Sequence, residues 1–184
     1  CMYSTAFKTL AGMFKSIGNC GGHEIKVVME AGSTYDLDGY ILNSTSVHFQ
    51  TRGSGTTTIN ITTPGSDYSF AIYNSHINFS GSSARPFIVN MVNTNTADST
   101  FYLDAGNMAA AYTTFNCGVT LWSAGSRFQN CTLNRKLRIN FCSVQIVKSS
   151  EWGSVAIKVE VVNITIHLRV IHPLELYLKR LFQF

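Results

Sequence analysis

Four aspartates stand where paired carboxylates could do chemistry. Asp36 and Asp38 lie two apart, and Asp98 and Asp104 flank a β-rich run that carries Tyr102. Residues two apart on a strand point to one face, so Asp36 and Asp38 are expected side by side. Two carboxyl groups held across a bond act as acid and base, or as acid and nucleophile, and can also ligate calcium. Arg85 and Arg127 would join such a site only if distant segments converge. The same aspartates have plainer roles, as turn residues beside Gly39 and as solvated loop ends. A second chemistry belongs to Tyr102, Tyr112 and Trp122, together with Tyr68 and Tyr73. Aromatic faces cover the C–H surfaces of sugar rings while neutral side chains bond the hydroxyls; the competing use of the same rings is core stacking.

His23, His48 and His76 stand singly, without a His-Glu-x-x-His spacing, and read as ladder or surface residues. The five cysteines, Cys1, Cys20, Cys117, Cys131 and Cys142, contain no Cys-x-x-Cys pair and are odd in number, which indicates buried free thiols rather than zinc or a disulfide framework. No metal and no cofactor is expected. Asn-x-Ser/Thr sequons such as those at Asn43 and Asn78 arise by chance in so Asn-rich a chain.

With 184 residues and 13% charged side chains, the chain suits one domain whose surface is polar but uncharged. Ser, Thr and Asn make up roughly a third of the first 134 residues. The formal charge of +4 is unevenly spread. Up to Asn134 six Lys/Arg face seven Asp/Glu, and the last fifty residues hold eight against three. Those late cations are scattered among apolar residues, singly and in the adjacent pairs Arg135-Lys136 and Lys179-Arg180, rather than gathered into one basic face, so nucleic acid is not an expected partner. The stretch Val155 to Ile171 is interrupted by Lys158, Glu160, Asn163, His167 and Arg169, and the N-terminus has no apolar signal core. Neither a signal peptide nor membrane insertion is expected. A chain opening Cys1-Met2 reads as a fragment whose true start lies upstream.

Whatever site exists must be positioned by strands. Phe7, Leu10, Phe14 and Ile17 recur at helical spacing, with Ser4 or Thr5 as N-cap, and predict one amphipathic helix of about four turns ending near Gly18. So short a helix must lay its apolar stripe on a partner, most economically the open end of the sheet that follows. Strands are predicted at Ile25 to Met29, Tyr35 to Leu37, Gly39 to Leu42, Ser46 to Thr51, Thr57 to Thr62, Ser69 to Tyr73 and His76 to Phe79. They continue at Phe87 to Val92, Thr100 to Leu103, Thr113 to Phe115, Gly118 to Trp122 and Ser126 to Leu133.

Between these runs lie Gly, Asn, Ser and Asp, with no second helix for a βαβ crossover and no Asn-Gly hairpin turn. Four short motifs recur: Val47 to Gln50, Ile77 to Ser80, Phe101 to Asp104 and Arg127 to Asn130. Helix-first order, loose repetition and abundant Asn, Ser and Thr suit stacked coils whose side chains form ladders at the ~4.8 Å strand spacing. The expected fold is all-β, a right-handed parallel β-helix with an N-terminal capping helix, over residues 1–134. Residues 135–184 form a strand-rich apolar tail in which Gly153 is the one glycine. Val155 to Val161 alternate, and the phase slips by one before Val162 to Val170. The segment from Pro173 is too apolar for a free end, and three roles stay open: cap, subunit interface or altered C-terminus.

The stretch Gly21-Gly22-His23-Glu24-Ile25-Lys26-Val27-Val28-Met29-Glu30-Ala31-Gly32-Ser33-Thr34-Tyr35 resembles the opening of pectate-lyase-like β-helix proteins, including bacteriophage tailspikes and tail fibres. In that family a helix covers the first coil, a Gly pair follows, and a strand runs into a Gly-x-Tyr turn. Glu30-Ala31 replaces a Pro often found before the turn. The resemblance implies a phage or prophage tail protein, located in the virion tail or outside the cell, that binds a bacterial surface polysaccharide as a homotrimer. Cleavage of the glycan would fall to Asp98, Asp104, Asp36 or Asp38, and binding to Tyr102, Tyr112 and Trp122. The alternatives are a bacterial polysaccharide lyase or hydrolase, and a non-catalytic structural or adhesive fibre segment.

Overall fold

The computed structural model describes residues 7–17, 23–38, 40–62, 68–92, 100–122, 125–135, 137–140, 143–148 and 165–170. Its one helix, α1, spans Leu10–Ile17. Thr9 caps it: the Gly12 N–H donates to Thr9 Oγ1 at 3.0 Å and the Met13 N–H to the Thr9 carbonyl at 3.1 Å. The helix is therefore shorter than its apolar spacing predicted. Phe7 precedes the cap and is 38% exposed, whereas Leu10, Met13 and Phe14 are buried. Ser4, Thr5 and the Gly21-Gly22 pair lie outside the described residues.

Strands follow in circuits of three. The first circuit is β1 (Glu24–Glu30), β2 (Thr34–Asp38) and β3 (Tyr40–Asn43), and the second is β4 (Ser46–Arg52), β5 (Thr57–Thr62) and β6 (Tyr68–Tyr73). The third is β7 (His76–Ser80), β8 (Phe87–Val92) and β9 (Thr100–Asp104), and the fourth β10 (Asn107–Ala111), β11 (Thr113–Phe115) and β12 (Gly118–Trp122). The fifth is β13 (Gly125–Gln129), β14 (Thr132–Leu133) and β15 (Leu137–Asn140); β16 (Ser143–Lys148) and β17 (Thr165–Val170) then rejoin the first sheet. Every strand pairs in parallel with its counterpart one circuit away, producing one seven-stranded and two five-stranded sheets. A parallel pair needs a long connection, and here the other two strands of the circuit supply it without a helix. The described residues thus form an all-β fold with one short helix and three parallel sheets.

Period-two alternation aims one face of each strand inward. In β1, Ile25, Val27 and Met29 are buried while the residues between them are exposed. In register, Val27, Phe49, Phe79, Ala110 and Phe128 form one inward column of the first sheet. Phe49 and Phe79 stack with ring centroids 5.1 Å apart. At Ala110 the column lacks a ring, and Phe115 from the second sheet supplies one, edge-on to Phe79 at 5.8 Å and to Phe128 at 6.1 Å. At the other end of the column Phe14 of α1 meets Phe49 edge-on at 6.3 Å. The helix thus joins the same continuous core as the strands, and Ile17 packs against it. Leaving that stripe in water would forfeit about 1.5–3 kcal/mol for each fully buried side chain.

Single left-handed residues turn the corners. Ser44, Asn74 and Ala105, at φ of 50°, 49° and 52°, end successive passes through the third sheet. Their amides donate to the carbonyls of Tyr73, Asp104 and Trp122 one circuit on. The next positions are Thr45, Ser75 and Gly106, and the amides of Thr45 and the Ser75 hydroxyl are joined at 2.9 Å. Gly106 has to be glycine, because a Cβ there would overlap the Ser75 carbonyl.

Two sequence expectations change. Asn107–Ala111 forms β10 although Asn-Met-Ala-Ala-Ala carries no strand signal; pairing on both sides, with β7 and β13, overrides weak local preference. The predicted run Ser126 to Leu133 is two strands, separated at Asn130, whose φ of 53° turns the corner. The four recurring motifs are not all equivalent either. Val47 to Gln50, Ile77 to Ser80 and the Arg127 to Asn130 motif belong to the first sheet, but Phe101 to Asp104 lies on the third, and Met108 to Ala111 takes its place. Among the described residues no helix is long and apolar enough to cross a membrane. β17 falls within the second alternating run of the tail; Val155 to Val161 and the segment from Pro173 lie outside the described residues.

Candidate functional site

The third sheet brings aromatic and acidic side chains to one outward face. Tyr73, Asp104 and Trp122 are the last residues of β6, β9 and β12 and align in register. Burial of Leu103 and Leu121, both at 0% exposure, forces Asp104 and Trp122 outward by alternation. Tyr102 shares the outward face of β9, between buried Phe101 and Leu103. Its ring lies 5.9 Å from that of Tyr73 at an interplanar angle of 56°. The Tyr102 hydroxyl donates loosely to Asp104 Oδ2 at 3.4 Å. Thr120, the register neighbour of Tyr102, points the same way yet is only 6% exposed, so this face is partly packed rather than open polar surface. Trp122 keeps 42% of its surface exposed. The cluster offers two tilted phenol rings, an indole and one carboxylate.

The second sheet carries a different outward column. Asp36, Asn60, Asn90, Asn116 and Asn134 fall at equivalent places in five successive circuits. Asn60 Nδ2 donates to Asp36 Oδ1 at 3.2 Å, Asn90 to Asn60 at 3.0 Å, Asn116 to Asn90 at 2.8 Å and Asn134 to Asn116 at 2.6 Å. An amide ladder alone could run either way. Asp36, ionised and therefore acceptor-only, sets its direction, since Asn60 must present its NH2 to the carboxylate and each later amide must follow. Asp36 is thus neither a turn residue nor half of a described carboxylate pair, but the anchor of a ladder.

No family model, curated protein or solved structure matches the chain. Its own side chains must carry any assignment.

The expected site residues are dispersed by the circuit geometry. Asp36 and Asp38 are on β2 of the second sheet, with the side chain of Asp38 outside the described residues, and Asp104 is on the third. Asp98 lies outside the described residues. Arg85 sits in the Ser82–Arg85 turn and donates to the Thr51 carbonyl at 2.9 Å, while Arg127 is on the first sheet, 3.4 Å from Gln129 Oε1. Neither arginine shares a sheet with Asp104, and among the described strands of the third sheet Asp104 is the one carboxylate. Tyr112 is separated from Tyr102 and Trp122: it turns the corner between β10 and β11 at φ 48°, and its N–H donates to the Gln129 carbonyl. What joins Tyr73, Tyr102, Asp104 and Trp122 is their register, and the available sequence signal was weak. Tyr73 and Asp104 precede the left-handed residues Asn74 and Ala105, and of these two only Asn74 is a usual turn former.

Of the cysteines, Cys117 and Cys131 are described, and both are free. Burial pushes the Cys117 thiol up to about 12. Burial also raises Cys131, to about 11, against backbone hydrogen bonds from Thr113 and Gln129. Neither is a nucleophile at neutral pH. Among the described residues no three His, Cys, Asp or Glu side chains are grouped to hold a metal.

Proposed function

We propose that this chain is a right-handed parallel β-helix that binds a polysaccharide on the outward face of its third sheet, as a tail protein of a phage or prophage would bind a bacterial surface glycan. The observation that carries the reading is the alignment of Tyr73, Asp104 and half-exposed Trp122 with Tyr102 beside them. Ring faces suit the apolar surfaces of sugar rings, and a single carboxylate suits accepting hydrogen bonds from paired hydroxyls. Successive circuits set these side chains side by side at the strand spacing of about 4.8 Å, which suits an extended polymer better than a compact ligand. Right-handedness is supported by the general rule for parallel crossovers. The tail-protein setting and the homotrimer rest on the resemblance of residues 21–35.

Binding rather than cleavage is the better supported activity, because glycosidic cleavage ordinarily needs two placed carboxyl groups and the described residues of this face present one. The test is binding of the purified chain to a panel of capsular and O-antigen polysaccharides, alongside duplex DNA, across a salt series. Trp122→Ala is expected to weaken glycan binding by about 1 to 2 kcal/mol, or roughly 5- to 30-fold, with little dependence on salt. Steeply salt-dependent DNA binding without affinity for any polysaccharide would overturn the proposal. Release of oligosaccharides from the same panel would instead mark an enzyme, and light scattering reads the trimer.

A further inference from the structure

The outward face of the first sheet, opposite in character to the aromatic cluster, holds a chain of three functional groups on three successive strands. Glu24 of β1, His48 of β4 and Ser80 of β7 step diagonally across the sheet, since Glu24 is in register with Ser46, and Ser80 with Gln50. The His48 ring spans the step. Its Nε2 lies 2.7 Å from Ser80 Oγ and its Nδ1 lies 3.5 Å from Glu24 Oε1. Lys26 holds the other carboxylate oxygen of Glu24 at 3.6 Å. We infer that Ser80, His48 and Glu24 form a nucleophile, base and orienting acid for acyl transfer from an ester. This inference stands independently of the glycan reading.

Proton bookkeeping supports it. In the tautomer that places the His48 proton on Nδ1, toward the Glu24 carboxylate, Nε2 is the acceptor for the Ser80 hydroxyl hydrogen. That is the protonation pattern a hydroxyl nucleophile requires. Ser80 Oγ also donates to Asn78 Oδ1 at 3.3 Å, a longer contact than the 2.7 Å approach to His48, and the hydroxyl turns to His48 when Nε2 accepts. Turning the Asn78 amide about its terminal bond places its NH2 at the same spot, where it can donate to negative charge developing beside Ser80. The sequence concealed the trio because its members are separated by whole circuits, His48 and Ser80 being 32 positions apart.

In the reaction, Ser80 Oγ attacks the ester carbonyl carbon while Nε2 removes its proton. The tetrahedral adduct collapses, the C–O bond to the alcohol breaks, and the leaving oxygen takes the proton from Nε2. Water, deprotonated by Nε2, then attacks the acyl-serine, releasing the carboxylic acid and restoring Ser80. Ester and water become acid and alcohol, with no other reactant. Ser80 is exposed on an open sheet with one side-chain donor nearby, so the fitting substrate is an ester with a good leaving group or a projecting acyl group, rather than an amide.

The experiment treats the full chain with a fluorophosphonate, which bonds phosphorus to an activated serine and expels fluoride, and measures hydrolysis of 4-nitrophenyl acetate in parallel. A single adduct mapped by peptide mass to Ser80 is expected. Ser80→Ala and His48→Gln should each lower labelling and turnover on the order of 100-fold or more. Glu24 is a positioning residue, and Glu24→Gln should lower kcat on the order of tenfold with KM unchanged. Ser46→Ala, on the same face and in register with Glu24, should leave both rates at the parent value. All of these side chains face outward, so melting temperatures check that folding is retained. Adducts spread over exposed serines, or a Ser80 labelling rate unchanged within about twofold by His48→Gln, would overturn the inference.

Discussion

The outward faces of the second and third sheets sit on the same scaffold, yet they treat their side chains in opposite ways. The second sheet repeats one residue type until its amides satisfy one another, from Asn134 down to Asp36. The third places Tyr73, Asp104 and Trp122 in the corresponding kind of column, where unlike neighbours cannot complete each other. A self-satisfied ladder gains stability and has little left to offer a ligand, since each amide uses its donor and acceptor within the stack. An unlike column does not close on itself in this way and presents ring faces and a carboxylate on an outward surface. Repetition of a residue along a parallel stack therefore marks structure, and interruption of the repeat marks a surface available for recognition.

The contrast can be abolished at its common support. Leu10 is 5% exposed beneath α1, and Leu10→Asp should cost about 2–5 kcal/mol from the lost side chain alone, with more for the buried carboxylate. Both faces would fail together, read as a single lowered thermal transition or as aggregation through the uncovered sheet edge. An unchanged melting temperature would deny α1 its capping role.

A gentler approach uses Cys117, which links the ladder residue Asn116 to the start of β12 and is buried. Its folded value of about 12 stands above the ordinary 9.0, so the native state holds that proton more tightly than the unfolded chain does. The resulting stability is complete below pH 9 and is lost as pH rises from there toward 12. Chemical denaturation at intervals between pH 8 and pH 11 should show a falling midpoint above pH 9, and Cys117→Ala should flatten that fall at some cost in packing. A slope unaffected by the substitution would assign the alkaline loss elsewhere.

Asn90→Ala then separates the two faces. It removes the donor to Asn60 and the acceptor of Asn116, which should cost about 1–2 kcal/mol in urea unfolding and leave glycan binding intact. Trp122→Ala should show the reverse, with stability shifted by less than about 1 kcal/mol because the indole is already half in water, and binding weakened as stated above. Equal effects of both substitutions on stability would erase the distinction between a structural and a recognition face.

Much of the scaffold was legible locally. Thr57–Thr62, Phe87–Val92, Thr113–Phe115 and Gly118–Trp122 span the β-branched and aromatic runs predicted for them. Leu10 and Phe14 announced the buried helix stripe by spacing alone. Tyr35 explains why its turn is readable: its hydroxyl accepts the Glu30 N–H at 2.9 Å and pins the chain around Gly32, whose φ is 79°. Legibility failed at β10, whose alanines have no β preference, and at Tyr112 and Asn130, where a single left-handed residue does the work of a turn.

The sequence by itself determined inward against outward, because a period of two is written along each strand and burial follows polarity. It also determined that ladder-forming amides were abundant. Only tertiary structure decided which residues become neighbours across circuits, because spacings in the Asn ladder vary through 24, 30, 26 and 18 residues as corners lengthen or shorten. No fixed offset in the chain can then foretell that Trp122 aligns with Asp104 and Tyr73, or that His48 reaches both Glu24 and Ser80. Register is set by backbone pairing and core packing summed over whole circuits, so outward partners stay aligned while corner lengths vary.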